Sequence, residues 1–279
     1  MNRPLCIVFV VDTYGISTNG TTMTAMRSVD ALRRRGHTVK VLTGSPSSEK
    51  DVYSTGYRKW FPLYQISRSQ GMFLAKADKA VIKKALEGSD LVHLLLPFKL
   101  QKKTRKIAQS MNIATTAAFH LQPENVTSTL HLERIGFVNF MLYHIFKRFY
   151  DRFQHVHCPS SMIESELEKY HYRSNMHVIS NGVSLNFKPE TVDKPDGMKD
   201  KYVILMIGRF SREKRQDLVI NAVRKSGYEK DIQIIFAGKG PNKRSIQSLG
   251  KNLTNEPIME FYEQAMLQKI INYADLYVH

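Results

Sequence analysis

Residues 5–11, Leu-Cys-Ile-Val-Phe-Val-Val, form an unbroken apolar run that stops at Asp12. The run is too short to span a membrane and has the length of a strand buried on both faces. A stretch containing two glycines follows, and then apolar residues recur at helical spacing, namely Met26, Val29 and Leu32. Strand, glycine-containing loop and amphipathic helix in this order are typical of a parallel α/β domain.

The same alternation continues along the chain. Further strands are predicted at Thr38–Leu42, Leu91–Leu96, Ile113–Phe119, Val156–Cys158 and Val178–Ser180. Helices are predicted at Thr22–Arg35, Met72–Glu87, Lys99–Ser110, Ile135–Phe153 and Ser161–Lys169. Regular alternation of this kind predicts a doubly wound, Rossmann-like domain over residues 1–180.

Residues 181–200 are rich in Pro, Gly, Asp and Asn and show no periodicity, which predicts a linker. Strands then alternate with helices again over residues 201–279, beginning with Tyr202–Ile207 and finishing with Leu276–Val278. A parallel strand normally needs neighbouring strands and a covering helix. The sequence ends at His279, directly after the strand Leu276–Val278, so the second domain is expected to be incomplete. The predicted fold class is α/β, with two Rossmann-like doubly wound domains.

The charge balance indicates an anionic partner. The 279 residues include 41 Lys+Arg against 25 Asp+Glu, a formal net charge of +16. Nucleic acid, a phosphorylated metabolite and an acidic membrane surface all fit this excess. The chain has only two cysteines, which suggests no disulfide framework and predicts a reducing compartment. It has no apolar run of membrane-spanning length.

The most informative basic cluster lies in the second half. Arg209, Arg212, Lys214 and Arg215 follow directly on the strand Tyr202–Ile207. Open α/β sheets bind ligands at the carboxyl ends of their strands, and guanidinium and ammonium groups there suit a diphosphate. A solvated helix start accounts for the same residues, so this pattern favours a phosphate site without requiring one.

Other candidate site residues also follow predicted strands. Gly20 and Gly238 stand in loops between strand and helix, where glycine permits close approach of a ligand to the backbone. His120 ends a strand of the first domain, where it can hydrogen-bond a ligand or exchange a proton. His155 and His157 are two apart on one strand, but no third ligand stands at metal spacing, so no metal is expected.

A second excess of positive charge lies between residues 58 and 106, with twelve Lys/Arg against three acids and several aromatic residues among them. Basic residues interleaved with aromatics are typical of contact with an anionic membrane surface. The residues proposed for this contact are Arg58, Lys59, Trp60, Lys83, Lys84, Lys102 and Lys103. Ordinary core aromatics beside solubilising lysines are the alternative.

Taken in order, several of these motifs resemble those of retaining glycosyltransferases of family 4, which have the two-domain GT-B architecture. The motifs are Asn19–Thr21, Arg34–Val39, Asp90–His93, Phe119–His120, Val178–Val183, Gly208–Lys214, Gly238–Pro241 and Ala274–Leu276. Within the family, the Asp12-Thr-Tyr stretch and the basic first domain are most similar to bacterial enzymes that glycosylate diacylglycerol or another membrane lipid.

The resemblance implies a hexosyltransferase that uses a nucleotide sugar, with UDP as the expected nucleotide, as substrate and needs no cofactor or metal. Arg209 and Lys214 would hold the donor diphosphate, and Gly20 would allow backbone approach to it. His120 would contact the transferred sugar, and Gly238 and Asn181 would line the donor pocket. A lipid or glycan acceptor and a cytoplasmic, peripheral location on the inner face of the cell membrane are also implied.

Family members carry a Glu-x7-Glu segment shortly after the strand that corresponds to Leu276–Val278, and this sequence ends before it. A truncated enzyme is therefore expected, and an inactive fragment or a non-catalytic partner remains the alternative. A nucleic-acid-binding protein ranks lower, because no helix-turn-helix, zinc finger or RNA-binding aromatic motif accompanies the charge.

Overall fold

The computed structural model describes residues 3–15, 20–59, 73–129, 136–184 and 187–279. The chain divides into two compact units, Met1–Gly182 and Val183–His279. Each unit contains one parallel sheet with helices packed on it. The predicted α/β class with parallel sheets is confirmed.

Unit 1 has a seven-stranded sheet in the order β3-β2-β1-β4-β5-β6-β7, and every pairing is parallel. Its strands are β1 Cys6–Val10, β2 Thr38–Thr43, β3 Val52–Ser54, β4 Leu91–Leu94, β5 Ala114–Ala118, β6 His155–Cys158 and β7 Asn175–Val178. Strand β1 lies inside the sheet between β2 and β4, and its residues Val8 and Val10 are fully buried. The order reverses between β1 and β4, which is where doubly wound sheets bind ligands.

Six α-helices are described in unit 1: α1 Gly20–Arg34, α2 Lys79–Leu86, α3 Lys99–Ser110, α4 Pro123–Thr129, α5 Gly136–Tyr150 and α6 Ser161–Lys169. Their buried side chains join the strand residues in one continuous core, which includes Leu86, Leu100, Tyr150 and Leu167. Within the described ranges, no helix is both long enough and apolar enough to cross a bilayer.

Unit 2 has a four-stranded parallel sheet in the order β10-β9-β8-β11. Its strands are β8 Tyr202–Ile207, β9 Ile232–Ala237, β10 Ile258–Glu260 and β11 Leu276–Val278, and its helices are α7 Gln216–Lys225, α8 Lys243–Gly250 and α9 Gln264–Tyr273. The order again reverses beside the first strand, here between β8 and β11. Both units therefore have a switch point next to their first strand.

In both units, an aspartate directly precedes the strand that pairs with the first strand across the switch point. Asp90 precedes β4, and its Oδ2 accepts a hydrogen bond of 2.8 Å from the backbone N–H of Cys6 at the start of β1. Asp275 precedes β11, and its Oδ2 accepts one of 2.6 Å from Val203 in β8. Each carboxylate is also paired with a cation, Arg3 or Lys194 respectively. These contacts satisfy a strand-end donor and fix the register of the two strands.

Asp12, directly after β1, is fully buried and connects four segments of unit 1. Its carboxylate accepts hydrogen bonds from the backbone N–H of Ala75 at 2.8 Å and from Gln101 Nε2 of α3 at 2.6 Å. Its backbone carbonyl accepts bonds from Thr43 and Gly44 at the end of β2. Burial raises the pKa of Asp12 from 3.8 to about 6. The Oε1 atom of Gln101 is also buried and has no partner among the described residues.

Two predicted elements of unit 1 need correction, and two further elements were not predicted. The helix predicted at Met72–Glu87 begins only at Lys79, because Asp78 caps it by accepting from the N–H groups of Ala80 and Val81. The strand predicted at Val178–Ser180 is the edge strand Asn175–Val178, where polar and apolar residues alternate over only four positions. Strand β3 and helix α4 were not predicted, since three and seven residues are too few to show a period.

Part of the predicted linker, residues 181–200, is attached to unit 2. The backbone N–H of Glu190 donates to Asn272 Oδ1 of α9, and Asn272 Nδ2 donates to the carbonyl of Lys188. Lys194 Nζ lies 2.6 Å from Asp275 Oδ2. The composition of this segment indicated loop structure, but composition carries no signal for these specific contacts.

The Asp12 site predicts an unusual pH dependence. Because the pKa of Asp12 is about 6 in the folded protein and 3.8 in the unfolded chain, folding takes up a proton between these pH values. The stability therefore falls as the pH rises from about 4 to above 6. In Asp12→Asn, the amide oxygen can still accept from Ala75, and the new NH₂ can donate to the unpartnered Gln101 Oε1 after that amide flips. We expect the variant to gain about 2 kcal/mol relative to wild type between about pH 4.5 and 7.5.

Urea unfolding at a series of pH values measures this difference. A conservative substitution at exposed Asp30 of α1, Asp30→Asn, is the control and should leave the pH dependence as in wild type. A constant difference between wild type and D12N across the range would contradict the assigned protonation.

Candidate functional site

The basic segment of unit 2 forms a loop at the carboxyl end of β8, beside the switch point. It runs from Gly208 through a short 3₁₀ turn, Arg212–Lys214, into α7. Arg215 adopts a left-handed backbone conformation with φ 53°, which turns the chain into the helix. Buried Gln216 donates from Nε2 to the carbonyl of Arg209 at 2.8 Å and so holds the loop. This segment is called the cation loop below.

The cation loop is joined through backbone contacts to the loop that follows β9. The N–H of Phe210 donates to the carbonyl of Lys239 at 3.0 Å, and the N–H of Asn242 donates to the carbonyl of Phe210 at 3.0 Å. A Cβ atom at Gly238 would stand 1.9 Å from the carbonyl oxygen of Gly208. One at Gly240 would stand 2.3 Å from the carbonyl oxygen of Phe210. Glycine is therefore required at both positions by backbone packing.

The cations of the loop differ in their surroundings. Arg215 pairs with Asp217 through two contacts of 3.1 Å, so its charge is compensated. Arg209 is half-buried, and burial lowers its pKa although nearby Glu213 opposes the shift. Lys214 lies along Gly208, and no carboxylate in the described ranges forms an ion pair with it. Arg209 and Lys214 thus both belong to the loop at the end of β8, with the Lys214 side chain against Gly208, and the charge of Arg215 is compensated by Asp217.

His120, which follows β5 in unit 1, belongs to a cluster of three histidines with His93 of β4 and His157 of β6. Its ring centroid lies 5.4 Å from that of His157, with the rings perpendicular, and His157 lies 6.4 Å from His93 in a stacked arrangement. His93 Nδ1 is 2.9 Å from Thr116 Oγ1. His157 Nε2 is 2.6 Å from the carbonyl oxygen of Ile179, so this nitrogen donates.

His120 and His93 of this cluster are uncharged at neutral pH. Burial, and then the charge of His157, lowers the pKa of His120 to about 4. Burial, and then the charges of His120 and His157, lowers the pKa of His93 to about 3. A neutral imidazole has one donor and one acceptor nitrogen, which suits hydrogen bonding to a sugar hydroxyl or proton exchange with one. Sequence reasoning identified His120 but missed its two neighbours, which become adjacent only through parallel pairing.

The remaining predicted residues are separate from these clusters. Gly20 opens α1, and a Cβ there would meet nothing within 4 Å among the described atoms. Asn181 is exposed beyond β7, next to Gly182 with φ 67°. His155 contacts His177 at 2.9 Å and not His157, and the described residues contain no group of three side chains suited to a metal.

The residues predicted for membrane contact have varied environments. Lys83 and Lys84 are exposed in the last turn of α2, and Lys102 is exposed on α3. Lys103 instead donates from Nζ to the carbonyl of Ala77 at 2.8 Å. The backbone N–H of Arg58 donates to Leu74, and Lys59 is exposed. Trp60 lies outside the described residues.

Comparison with known families covers the chain from residue 18 onward. The model described as Glycosyltransferase Family 4 matches residues 18–187, and the one described as Glycosyl transferases group 1 matches residues 187–279. The first match alone spans more than half of the chain.

Two curated proteins are similar over most of the chain. A GDP-mannose-dependent alpha-mannosyltransferase of Corynebacterium glutamicum is 21% identical over 261 residues, which cover 88% of this chain and 60% of that protein. An alpha-monoglucosyldiacylglycerol synthase of Streptococcus pneumoniae is 24% identical over 266 residues, which cover 87% of this chain and 57% of that protein. The chain thus spans about three fifths of the length of these relatives.

Solved structures of glycosyltransferases share the fold. Anabaena Alr3699/HepE, determined in complex with UDP and glucose, matches with a TM-score of 0.65 at 16% identity, covering 99% of this chain and 74% of that chain. WaaG, a glycosyltransferase involved in lipopolysaccharide biosynthesis, matches with a TM-score of 0.66 at 14% identity, covering 98% and 74%. These similarities establish the GT-B fold.

The glycine contacts predict a steric effect on stability. Gly238→Ala places a methyl group against the backbone oxygen of Gly208, so the loop must shift. We expect unit 2 to lose about 2 to 3 kcal/mol of unfolding free energy, as in other overpacked sites. The control is Gly197→Ala, where a Cβ meets nothing within 4 Å. Urea unfolding that shows equal stability for the two variants would contradict the packing.

The histidine cluster predicts loss of stability in acid. Because the folded-state pKa of His93 lies below 6.5, its contribution is present above that pH and is lost as the pH falls towards 3. His93→Asn keeps an acceptor for Thr116 and removes the titration. Between about pH 7 and 5 the variant should lose about 2 kcal/mol less than wild type. His171→Asn, at an exposed residue, serves as the matched control in the same unfolding series.

Proposed function

The chain belongs to glycosyltransferase family 4, and we propose that it transfers a sugar from a nucleotide-sugar donor to a lipid acceptor of the diacylglycerol type. The observation that carries the proposal is the cation loop, which places Arg209 and Lys214 in one segment at the carboxyl end of β8. The S. pneumoniae relative that acts on a diacylglycerol lipid supports the acceptor class. A cell-envelope glycan is the alternative acceptor.

The donor diphosphate is the group that the cation loop suits. When the sugar–phosphate bond breaks, negative charge grows on the departing diphosphate, and a guanidinium and an ammonium group stabilise it. The loop is fixed by backbone hydrogen bonds before any ligand arrives, so its donors need little reorganisation. In this proposal the two cations do the work that a divalent metal does elsewhere, and no cofactor is required.

His120 is proposed to contact the transferred sugar. Because it is neutral, it can accept a hydrogen bond from one hydroxyl and donate one to another group, without adding positive charge near the sugar. Transfer with retention of configuration is proposed from family membership. UDP is the proposed nucleotide, supported by the UDP complex of the Anabaena protein, while GDP remains the alternative from the C. glutamicum relative.

Titration calorimetry of the chain with UDP and with GDP tests donor binding. In Arg209→Ala and in Lys214→Ala, each loss of a charge-assisted hydrogen bond should weaken binding by about 10- to 100-fold. Lys225→Ala, which removes an exposed charge at the end of α7, is the matched control and should bind as wild type does. Equal affinity of R209A and wild type for UDP and GDP would show that the cation loop does not bind the donor diphosphate.

Transfer itself is measured with radiolabelled UDP-glucose or GDP-mannose and diacylglycerol in neutral detergent micelles. We expect label in the lipid extract with wild type and none with R209A, because the leaving group loses its main stabilising charge. Tight nucleotide binding without any transfer would instead favour a non-catalytic protein. Unchanged transfer by R209A would overturn the assignment.

A further inference from the structure

Helix α5 presents large apolar side chains to solvent as well as to the core. Its inner side is buried through Tyr143, Phe146, Phe149 and Tyr150. Its outer side exposes four apolar side chains, Phe137 at 67%, Phe140 at 49%, Met141 at 45% and Ile145 at 42%. A surface helix normally has a polar outer face. A contiguous exposed apolar face of this kind marks an interaction surface.

Positive charge continues the same face towards the end of the helix. Arg148 lies on the same side of α5 as Phe137 and Met141, at helical spacings of eleven and seven residues, and Arg152 lies in the turn just after the helix ends at Tyr150. Both arginines are exposed, and Arg152 Nε donates to the carbonyl of Arg148 at 2.8 Å. Helix α5 contains no acidic residue. This set of six residues, four apolar and two basic, is called the α5 face.

Arg105 on α3 adds a third guanidinium near the basic end. It is only 8% exposed, and its Nη1 donates to Gln109 Oε1 at 3.1 Å. No carboxylate in the described part of the chain forms an ion pair with it. Burial, and then the charge of Arg152, lowers its pKa, so the two cations are close enough to repel each other. An anion bound here would relieve this repulsion.

We propose that the α5 face docks on the anionic surface of a lipid bilayer, with its apolar side chains among the acyl chains and its arginines on lipid phosphates. Amphipathic helices bind membranes in this way, through buried apolar area together with attraction to anionic lipids. The inference deepens the proposed function, since it says where the protein meets a membrane that carries its acceptor.

The charge and the apolar side chains of the α5 face together favour an anionic bilayer over a second copy of the chain or a nucleic acid. A second copy of the chain would bring another α5, which is equally basic and contains no carboxylate, while Asp151 just after the helix is already paired with Lys147 and accepts from the N–H of Arg173. A nucleic acid would satisfy the arginines but would leave four large apolar side chains without a partner. An anionic bilayer provides phosphates for the arginines and acyl chains for the apolar side chains.

The α5 face lies outside the basic stretch between residues 58 and 106. Lys83, Lys84 and Lys102 are exposed. In the described residues between 73 and 106, however, no large apolar side chain is strongly exposed beside them. Lysines alone can attract a bilayer, but they cannot anchor in it.

Vesicle sedimentation tests the proposal without donor or turnover. The probe is a vesicle of phosphatidylglycerol and phosphatidylcholine, with pure phosphatidylcholine as the uncharged comparison. We expect Arg148→Glu/Arg152→Glu and Phe137→Ser/Met141→Ser each to weaken binding at least about tenfold. Two controls should bind within about threefold of wild type: Lys83→Glu/Lys84→Glu makes the same charge change, and Met162→Ser removes another side chain that is 67% exposed.

A loss of binding in K83E/K84E with no loss in R148E/R152E would overturn the proposal in favour of the α2 surface. Circular dichroism and urea unfolding of each variant establish that it folds. Should R148E/R152E unfold, Phe137→Trp in a Trp60→Phe background provides the decisive readout. Its indole should be quenched by brominated phospholipids, and an unquenched indole on bound protein overturns the proposal.

The same tryptophan variant detects the competing occupants. An emission shift that depends on protein concentration without vesicles would indicate a second copy and overturn the proposal, as would tighter binding to duplex DNA than to anionic vesicles. UDP binding separates the two hypotheses. Loss of vesicle binding with UDP affinity retained refutes only the docking, whereas absent UDP affinity with vesicle binding retained refutes only the proposed function.

Discussion

The buried carboxyl group of Asp12 is the contact on which the arrangement of unit 1 depends. Its side chain holds the backbone of Ala75 and the amide of Gln101, while its carbonyl holds the end of β2. These segments come from distant parts of the sequence and converge where β1 ends, at the switch point of the sheet. A polar residue at such a place is costly to bury, so its hydrogen bonds must all be made. The loop that precedes α1 therefore starts from a fixed position.

The architecture was predictable because its signals are local. The strands β1 and β8 are continuous apolar runs, and helix Lys99–Ser110 has the predicted bounds. The edge strand Asn175–Val178 and the delayed start of α2 were not predictable in this way. The edge strand alternates polar and apolar residues over only four positions, which is too few to show a period, and the start of α2 depends on the cap at Asp78.

The candidate sites were predictable only in part. Residues that follow strands, such as Arg209 and His120, can be recognised from the sequence because parallel strands end at a common edge. Residues that become their neighbours only because other strands pair alongside, such as His93 and His157, cannot be recognised from the sequence. The compensation of Arg215 by Asp217 and the exposure of the outer side of α5 likewise depend on side-chain geometry that periodicity does not contain.

The interlocking of the loops at Gly208 and Gly238 has a consequence for molecular recognition. Since the two backbones touch without any intervening side chain, neither loop can move independently of the other. A flexible loop loses conformational entropy when it closes on a ligand, and that loss is subtracted from the affinity. Here the loss has already occurred during folding. Whatever anion the loop receives meets a surface whose shape is set in advance, so discrimination between anions rests on fit and not on adaptation.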